Sequence, residues 1–358
     1  MRLPAVAAAL IALAACNGSF AQGVVASSAS RQVNVRAMLA LTRREALSSP
    51  HAATPRRSWL DPAAQNSKTL IYLSDAGNGY VRLFDYQTGK QLGYAGGLYL
   101  PYGACSDKHG NAYVADFDAG ITYEFKHGTT TVTDQWNSNG EPIGCSVNPH
   151  NGDLAITNFY DFGSPSGTGS VVVYPGGSQS GTAHYGPGLD WPAGYDAHGN
   201  LFVQANYAGQ CASGPCLAEL PAGGRAWSLL DISGATINLP AAVEWDGKYL
   251  GVADQEAGGS SQSVIYQTSV RGNTAVVVNT VSLSTGCSGD YFDAIQWAYA
   301  APKPNDLPVK YATGIAAGAS LCDGSQVGKW PYPKGGDPVG EITAGTNANI
   351  DGATIVTK

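Results

Sequence analysis

The sequence predicts an all-β fold, a six-bladed β-propeller built from four-stranded antiparallel blades, and three observations support this prediction. The first is composition: 46 glycines, 20 prolines and 19 tyrosines accompany only 13% charged residues, a balance typical of many short strands joined by turns. The second is an internal repeat with a period of about 40 to 50 residues. The third is that the first unit of the repeat lacks one strand, and the C-terminal end of the chain supplies a matching strand.

The repeat is a β-hairpin that begins at a proline and ends at an aspartate or asparagine. Its copies occupy residues 101–116, 142–158, 192–206 and, in a weaker form, 240–254. Each copy reads as a strand, a tight turn containing glycine and a second strand. A third strand and a more variable fourth strand follow each hairpin. Four strands in a unit of this length predict one propeller blade.

The ends of the array predict how the ring closes. Residues 68–75 match the second strand of the repeat and lack a first strand, whereas residues 351–358 match a first strand and have nothing after it. The C-terminal strand is therefore expected to join the first blade, which would leave no unpaired sheet edge there. First strands are then predicted near residues 101, 142, 192, 240, 292 and 351.

The motif Pro-x-Gly…His-Gly-Asn-x-Tyr-Val-Ala-Asp, as it stands in residues 101–116, is similar to the NHL repeat. The resemblance covers residues 68–358 and implies the six-bladed architecture of TolB-like and gluconolactonase-like propellers. It does not imply one activity, because such propellers include binding platforms, lactonases and lyases. Gluconolactonase-like propellers typically carry a metal-binding Glu where this chain has Asp351, and the His that streptogramin-lyase-like propellers use has no equivalent here.

The first 21 residues predict export. Arg2 precedes an apolar run, Ala5 to Ala15, that has the length of a secretory signal rather than of a membrane span. The run ends in Leu-Ala-Ala-Cys16, which resembles the bacterial lipobox, so Cys16 is the predicted lipidation site. Cleavage after Ala21 is the alternative. The protein is therefore expected in the periplasm or on the outer membrane or cell surface as a lipoprotein, or else secreted.

Residues 22–67 read as a flexible basic linker, and residues 68–358 as the propeller. Residues 1–68 hold eight basic and two acidic side chains, whereas the whole chain has a net charge of −7. The propeller is therefore acidic, which argues against nucleic acid as a partner. The expected molecule is a monomer that meets a membrane only through its lipid anchor.

Six cysteines remain besides the lipobox cysteine, an even number that predicts disulfides in an exported protein. Cys211 and Cys216 share one loop and predict a local bridge. Cys287 and Cys322 lie on either side of the predicted first two strands of blade six and are expected on the same face.

The other two cysteines, Cys105 and Cys145, lie on the inner strands of neighbouring blades. Their positions in the repeat differ by one residue, and because side chains alternate along a strand this offset permits a bridge between the blades. Two buried free thiols are an equal alternative.

The second strands end at one shared repeat position in a side chain that can act as an oxygen ligand: Asp75, Asp116, Asn158, Asn206 and Asp254. Such a ring at one rim of the channel could hold Ca²⁺, the one cofactor that the pattern indicates. The preferred interpretation is structural, because Asp and Asn at strand ends readily bond backbone amides of the adjoining turn.

The loops that lead into the first strands offer carboxylates and aromatic rings on the same rim: Tyr99, Glu141, Asp190, Trp191, Asp290 and Tyr291. Aromatic rings beside carboxylates predict a site for a sugar, a peptide or a protein. Three histidines, His109, His150 and His198, fall at hairpin turns on the opposite rim and are interpreted as structural.

The leading functional hypothesis is an exported, non-enzymatic propeller that binds a protein, peptide or carbohydrate at its loop-rich rim at the cell envelope. Recognition is expected on the long loops 158–170 and 206–217, where variation is tolerated best. A calcium-dependent hydrolase or lyase that uses the rim carboxylates as general acid and base is the alternative. A passive structural protein of the envelope is the third hypothesis.

Overall fold

The described part of the chain consists of β-strands joined by turns, together with three short 3-10 helices, Pro62–Asn66, Pro175–Gly177 and Gly209–Cys211. This computed structural model describes residues 57–255, 257, 263–284, 297–299, 315–317, 325–345 and 348–358. Within these ranges, no helix combines the length and hydropathy needed to cross a membrane. The predicted lipidation site Cys16 lies outside the described residues.

The first sheet unites the two ends of the described chain. Its strand order is β1-β4-β3-β2-β26, and its strands are β1 (Trp59–Leu60), β2 (Thr69–Asp75), β3 (Tyr80–Asp85), β4 (Gln91–Gly96) and the C-terminal β26 (Ile350–Thr357). Strand β26 pairs antiparallel with β2 along its length, from Thr357 opposite Thr69 to Ile350 opposite Asp75. Trp59 and Leu60, which the sequence assigned to the linker, form β1 and pair with β4.

The second and third sheets are four-stranded antiparallel meanders. The second contains β5 (Pro101–Ser106), β6 (Ala112–Asp116), β7 (Ile121–Phe125) and β8 (Val132–Asn137). The third contains β9 (Gly140–Val147), β10 (Leu154–Asp161), β11 (Ser170–Tyr174) and β12 (Thr182–Tyr185). In both, strand order follows chain order, as the repeat predicts.

The next two meanders are joined into one nine-stranded sheet. The first of them contains β13 (Leu189–Asp190), β14 (Gly194–Tyr195), β15 (Leu201–Asn206), β16 (Cys216–Leu220) and β17 (Ser228–Ser233). The second contains β18 (Pro240–Trp245), β19 (Leu250–Asp254), β20 (Ser263–Arg271) and β21 (Thr274–Leu283). Their outer strands β17 and β21 pair in parallel, a pairing that the repeat did not predict and that covers two strand edges.

The last sheet has the order β22-β23-β24-β25 and is antiparallel. Its strands are β22 (Trp297–Tyr299), β23 (Ile315–Ala317), β24 (Gln326–Trp330) and β25 (Gly340–Thr343). The position near residue 292, where the first strand of this blade is predicted to begin, lies outside the described residues, as do Cys287 and Cys322.

The first strands of successive sheets pack side by side. Strand β26 contacts β5, β5 contacts β9, β9 contacts β14, and β15 of the next sheet contacts β18. Strands β22 and β23 of the last sheet contact β26. Successive antiparallel meanders with neighbouring first strands form a β-propeller-like fold, which confirms the all-β, propeller-like part of the prediction.

The proline that opens each repeat faces the residue that closes it. Pro101 pairs with Asp116, Pro142 with Asn158 and Pro240 with Asp254, and the register shifts beside each pair. Because proline has no amide hydrogen to donate to the ladder, it is tolerated at such irregular positions. In the third copy Pro192 lies in the gap between β13 and β14.

The apolar core fills the spaces between neighbouring sheets. One cluster joins the first two sheets through buried side chains that include Leu70, Leu83, Val114 and Phe125. The next holds Cys105 and Cys145 among aromatic and aliphatic neighbours of the second and third sheets.

Both cysteine pairs within the described residues are disulfides. Cys105 and Cys145 are bonded across the second and third sheets with 5.5 Å between their Cα atoms. The structure thus selects the bridge over two buried free thiols, the alternative that the one-residue offset left open. Cys211 is bonded to Cys216 within its loop, as predicted.

Candidate functional site

Asp116 and Asp254 tie the end of a second strand to the loop that enters the first strand of the same sheet. The two carboxylate oxygens of Asp116 accept hydrogen bonds from the amides of Tyr99 and Leu100, at 2.9 and 2.8 Å. Asp254 does the same with the amides of Asn238 and Leu239, at 3.0 and 2.9 Å. Both aspartates are completely buried, so each carboxylate replaces its lost hydration with backbone donors.

Asp75 occupies the equivalent position in the first sheet and has a cation beside it. The Arg82 Nε atom donates to Asp75 at 2.6 Å, and the amides of Asn78 and Asn349 donate to its other oxygen. The Asn349 contact attaches the segment before β26 to the end of β2. Here the repeat position holds together strands from opposite ends of the chain.

The two asparagines at this position bond side chains instead of a pair of loop amides. Asn158 accepts a hydrogen bond from the Ser138 hydroxyl at 2.6 Å and donates to the Ser170 hydroxyl at 3.0 Å. Asn206 accepts a hydrogen bond from the indole of Trp191 at 3.3 Å. The side chains at the shared position therefore act within the fold, mostly upon the loop before the first strand rather than upon the following turn.

These contacts support the structural interpretation of the Asp/Asn ring. Arg82 already supplies positive charge at Asp75, and backbone amides already face Asp116 and Asp254. Among the described residues, no group of three or more His, Cys, Asp or Glu side chains is arranged to hold a metal ion. The predicted calcium site, which would also draw on asparagine oxygens, stays a prediction.

Four aromatic rings form a continuous arc beside this ring of polar side chains. Tyr102 contacts Phe117 at 5.4 Å between ring centroids, Phe117 contacts Phe159 at 6.4 Å, and Phe159 meets Trp191 edge-on at 5.8 Å. Phe117 and Phe159 directly follow Asp116 and Asn158 in the sequence. All four rings are buried, so the arc connects three successive sheets as part of the interior.

Three loops of the third and fourth sheets are hydrogen-bonded into one surface, here called the three-loop face: residues 162–169, 185–188 and 207–215. The middle loop bonds both of the others. The Gly169 amide donates to the Gly188 carbonyl at 2.6 Å, and the amides of Gln210 and Cys211 donate to the Pro187 carbonyl at 2.8 and 3.2 Å. The Cys211–Cys216 disulfide closes the third loop.

Close packing at Gly169 explains how the loops meet without a gap. A Cβ atom on Gly169 would lie 2.5 Å from the Asn158 carbonyl oxygen and 2.8 Å from the Asp190 amide nitrogen. Backbone atoms cannot yield easily, so only glycine fits at this position. The glycine at position 169 therefore allows the backbones of the third and fourth sheets to come into direct contact.

Each loop of the three-loop face exposes one large aromatic side chain. Phe162, Tyr185 and Tyr207 retain 40%, 45% and 58% of their accessible surface. The first two loops also meet through side chains, since the Tyr185 hydroxyl lies 3.3 Å from where a Cβ on Gly163 would stand.

The backbone of Tyr207 adopts a left-handed conformation, with φ of 59°. For a residue with a bulky side chain this conformation costs roughly 1 kcal/mol or more, and such residues concentrate at ligand sites. The chain thus keeps a large ring exposed at a position that glycine would occupy with less strain.

Beneath the three-loop face lies a pair of buried carboxyl groups. Asp161 accepts hydrogen bonds from the Gly163 amide at 2.7 Å and the Ser170 hydroxyl at 2.6 Å. Asp190 is fully buried, and within the described residues neither of its oxygens has a side-chain donor or a well-aligned amide. Burial raises the pKa of Asp190 well above its ordinary value, the nearby charge of Asp161 adds to the effect, and the Gly188 amide opposes it.

The structure buries several of the residues that the sequence grouped into a ligand-binding rim. Asp190, Trp191 and Glu141 are buried, and Tyr99 is partly buried. Asp290 and Tyr291 lie outside the described residues. The role of these six residues as ligand contacts stays a prediction, and it would require access to side chains that the fold covers.

The predicted structural histidines do lie at hairpin turns. The amides of His109 and His198 donate to Asp107 and Asp196, which stabilise these turns, and the His150 ring contacts the Ala197 carbonyl of the next sheet. These contacts assign the three histidines to the framework.

Sequence reasoning selected the two long loops but missed their exposed aromatic residues. Phe162 and Tyr207 were within the loops 158–170 and 206–217 that the sequence favoured for recognition, and a search for aromatics in loops rich in Gly and Ser would have found them. Tyr185 ends strand β12. Its exposure depends on that strand lying at the outer edge of its sheet.

Comparisons with known proteins add support at the level of the fold. No protein-family model matches the chain, and no curated protein matches its sequence. A functionally unknown protein from Desulfotomaculum acetoxidans is similar in structure, with 12% identity, a TM-score of 0.52, and coverage of 81% of this chain and 99% of that one.

Two further solved structures are similar. A protein of unknown function from Bacteroides caccae has 12% identity, a TM-score of 0.52, and coverage of 82% of this chain and 100% of that one. The β-propeller domain of Cps50 (Swd1) from Myceliophteria thermophila has 11% identity, a TM-score of 0.49, and coverage of 80% and 86%. The first two likenesses, at so low an identity, show a shared fold and nothing about activity.

Proposed function

We propose that this protein is an exported, six-bladed NHL-like propeller that acts as a binding module at the cell envelope, without catalysis, and that its ligand binds the three-loop face. The observation that carries the proposal is the grouping of three exposed aromatic side chains on loops that hydrogen bonds hold together. Large exposed rings are the anchors of most recognition surfaces. On a protein built for stability alone, these positions would be expected to be polar.

The preorganisation of the three-loop face supports the same conclusion. Hydrogen bonds from Gly169, Gln210 and Cys211 fix the backbones, and a disulfide closes the third loop. A surface that is rigid before it meets its ligand loses little conformational entropy on binding. The left-handed backbone of Tyr207 fits this setting, because such conformations concentrate at ligand sites.

Export and ring closure are part of the proposal. Two disulfides within the described residues suit an oxidising compartment. The pairing of β26 with β2 and six successive sets of strands suit a closed ring of six blades. Lipidation at Cys16 would place the three-loop face outside the cytoplasm at the membrane surface.

The test compares two triple variants of the chain for binding to isolated envelopes of the producing cell, measured by biolayer interferometry. The first variant carries Phe162→Ala, Tyr185→Ala and Tyr207→Ala. The matched control removes three exposed apolar side chains elsewhere, Val132→Ala, Leu229→Ala and Val339→Ala. We expect the first variant to lose at least tenfold in affinity, since each anchor contributes about 1 kcal/mol or more, and the control to bind as the parent does. Equal binding by both variants would show that the ligand does not use this face.

A further inference from the structure

We infer that the ligand of the three-loop face is a neutral carbohydrate. This inference rests on the proposed function and specifies the chemical class that the face recognises. It follows from the charge, the polar groups and the rigidity of the face, each of which excludes or disfavours other classes of ligand.

The first observation is that the three-loop face carries no charged residue. Residues 162–169, 185–188 and 207–215 contain no Lys, Arg, His, Asp or Glu. Recognition of phosphate or carboxylate groups relies on cationic side chains, and recognition of basic peptides relies on carboxylates. Asp161 and Asp190, which adjoin two of these loops in the sequence, are buried. An uncharged surface in an otherwise acidic protein favours an uncharged ligand.

The second observation is the combination of aromatic rings with small polar groups. Phe162, Tyr185 and Tyr207 are exposed, and so are the side chains of Ser166, Gln210 and Ser213. A sugar ring has a C–H face that stacks on an aromatic ring and a rim of hydroxyls that both donate and accept hydrogen bonds. Serine hydroxyls and glutamine amides also donate and accept, so they match that rim.

The same polar groups distinguish a carbohydrate from a proline-rich peptide, which also stacks on aromatic rings. An extended peptide of that kind presents mainly carbonyl acceptors and needs donors along its length. On the three-loop face, the backbone amides of Gly169, Gln210 and Cys211 already donate hydrogen bonds to carbonyl groups of the middle loop. They are therefore not available to the carbonyl groups of a peptide. The exposed side chains of Gln210 and Ser213 can then meet the hydroxyl groups of a sugar.

The third observation is rigidity. Sugars offer few contacts per ring, so a carbohydrate site gains from loops that are fixed before binding. The interloop hydrogen bonds and the Cys211–Cys216 bridge provide this. Within the first loop, Ser164 and Thr168 are buried and bonded to each other at 2.9 Å, which holds Ser166 between them at the surface.

The experiment is affinity electrophoresis and calorimetry of the purified chain with three neutral polysaccharides, a soluble β-glucan, dextran and mannan, and with a proline-rich decapeptide. We expect at least one polysaccharide to bind. Tyr185→Ala and Tyr207→Ala should each weaken that binding about tenfold, whereas Val132→Ala and Val339→Ala should leave it unchanged. Binding should also persist as sodium chloride rises from about 50 to about 500 mM, because screening weakens only charged contacts.

The outcomes separate the inference from the proposal on which it rests. Decapeptide binding that depends on Tyr207, with no polysaccharide bound, would overturn the carbohydrate inference and leave the three-loop face as the binding site. Polysaccharide binding that survives loss of Tyr185 and Tyr207 would overturn both. Failure of every probe would overturn the carbohydrate inference, while the envelope measurement above would decide the proposed function separately.

Discussion

The second and third sheets reach the same repeat position and then diverge. In the second sheet Asp116 ends β6, accepts two loop amides, and leads into a short connection, residues 117–120. In the third sheet Asn158 takes that position, bonds two serine hydroxyls, and is followed by the longer connection 162–169. The same repeat position therefore bonds backbone amides in the second sheet and serine hydroxyls in the third.

The fourth sheet follows the third. Asn206 bonds Trp191 rather than two amides, and the connection 207–215 is again long. Both long connections contribute to the three-loop face. In the third and fourth sheets, where asparagine stands at this position, the long connections carry the exposed Phe162 and Tyr207. The second sheet, with its short connection, serves as framework.

The largest expected effect comes from the two disulfides, one in the framework and one in the three-loop face. Cys105 and Cys145 are 40 residues apart, whereas Cys211 and Cys216 are 5 apart. Because loop-closure entropy grows with the span, replacing the first pair by alanine should lower the free energy of unfolding by about 4 kcal/mol and replacing the second by about 2. Urea unfolding of the two double variants measures the difference. Equal losses would contradict this division between framework and loop.

Exchanging Asp for Asn, or Asn for Asp, at the end of a second strand should lower the free energy of unfolding by about 2 kcal/mol. Asp116→Asn turns an amide donor toward a backbone amide that needs an acceptor. Asn158→Asp removes the donor to the Ser138 carbonyl, at 2.9 Å, and brings two acceptors together. Thermal and urea unfolding measure both variants against the exposed Asp337→Asn as control. If both exchanges are tolerated, Asp and Asn are interchangeable at this position and the comparison fails.

The same variants examine the calcium hypothesis. If the ring residues serve only as caps, added calcium should leave the melting temperature of the parent chain unchanged. A melting temperature that rises with calcium, and that no longer rises in Asp116→Asn, would instead support the predicted metal site.

The last prediction concerns the pH dependence of stability that Asp190, beneath the three-loop face, should produce. Its raised pKa in the folded protein means that between its unfolded value near 3.8 and its folded value the unfolded chain releases a proton that the folded chain keeps. Stability is therefore fully present at low pH and falls as pH rises through that interval, by at most about 1.4 kcal/mol per pH unit. Asp190→Asn should remove this decline.

The measurement is the free energy of unfolding from about pH 4 to about pH 7 for the parent chain and for Asp190→Asn, with Asp337→Asn as the control. We expect the advantage of Asp190→Asn over the parent to grow with pH, and the control to follow the parent. An advantage that stays constant with pH would mean that Asp190 ionises in the folded protein as it does in the unfolded chain.

The sequence by itself determined the elements that follow local rules. Proline opening, glycine turn and closing Asp or Asn recur in the printed chain, and each requires a particular backbone geometry wherever it stands. The hairpins at 101–116 and 240–254 therefore appear where they were predicted. So does the C-terminal strand against β2, because the repeat lacked that one strand.

Features that depend on contacts between distant segments could be read only from the fold. The parallel pairing of β17 with β21, the burial of Asp190 and Trp191, and the meeting of three loops at Pro187 and Gly188 have no local signature. Each depends on how neighbouring sheets pack, and packing is a property of pairs of surfaces rather than of a single stretch of chain. For this reason the sequence predicted the long loops, and the fold showed which aromatic side chains they expose.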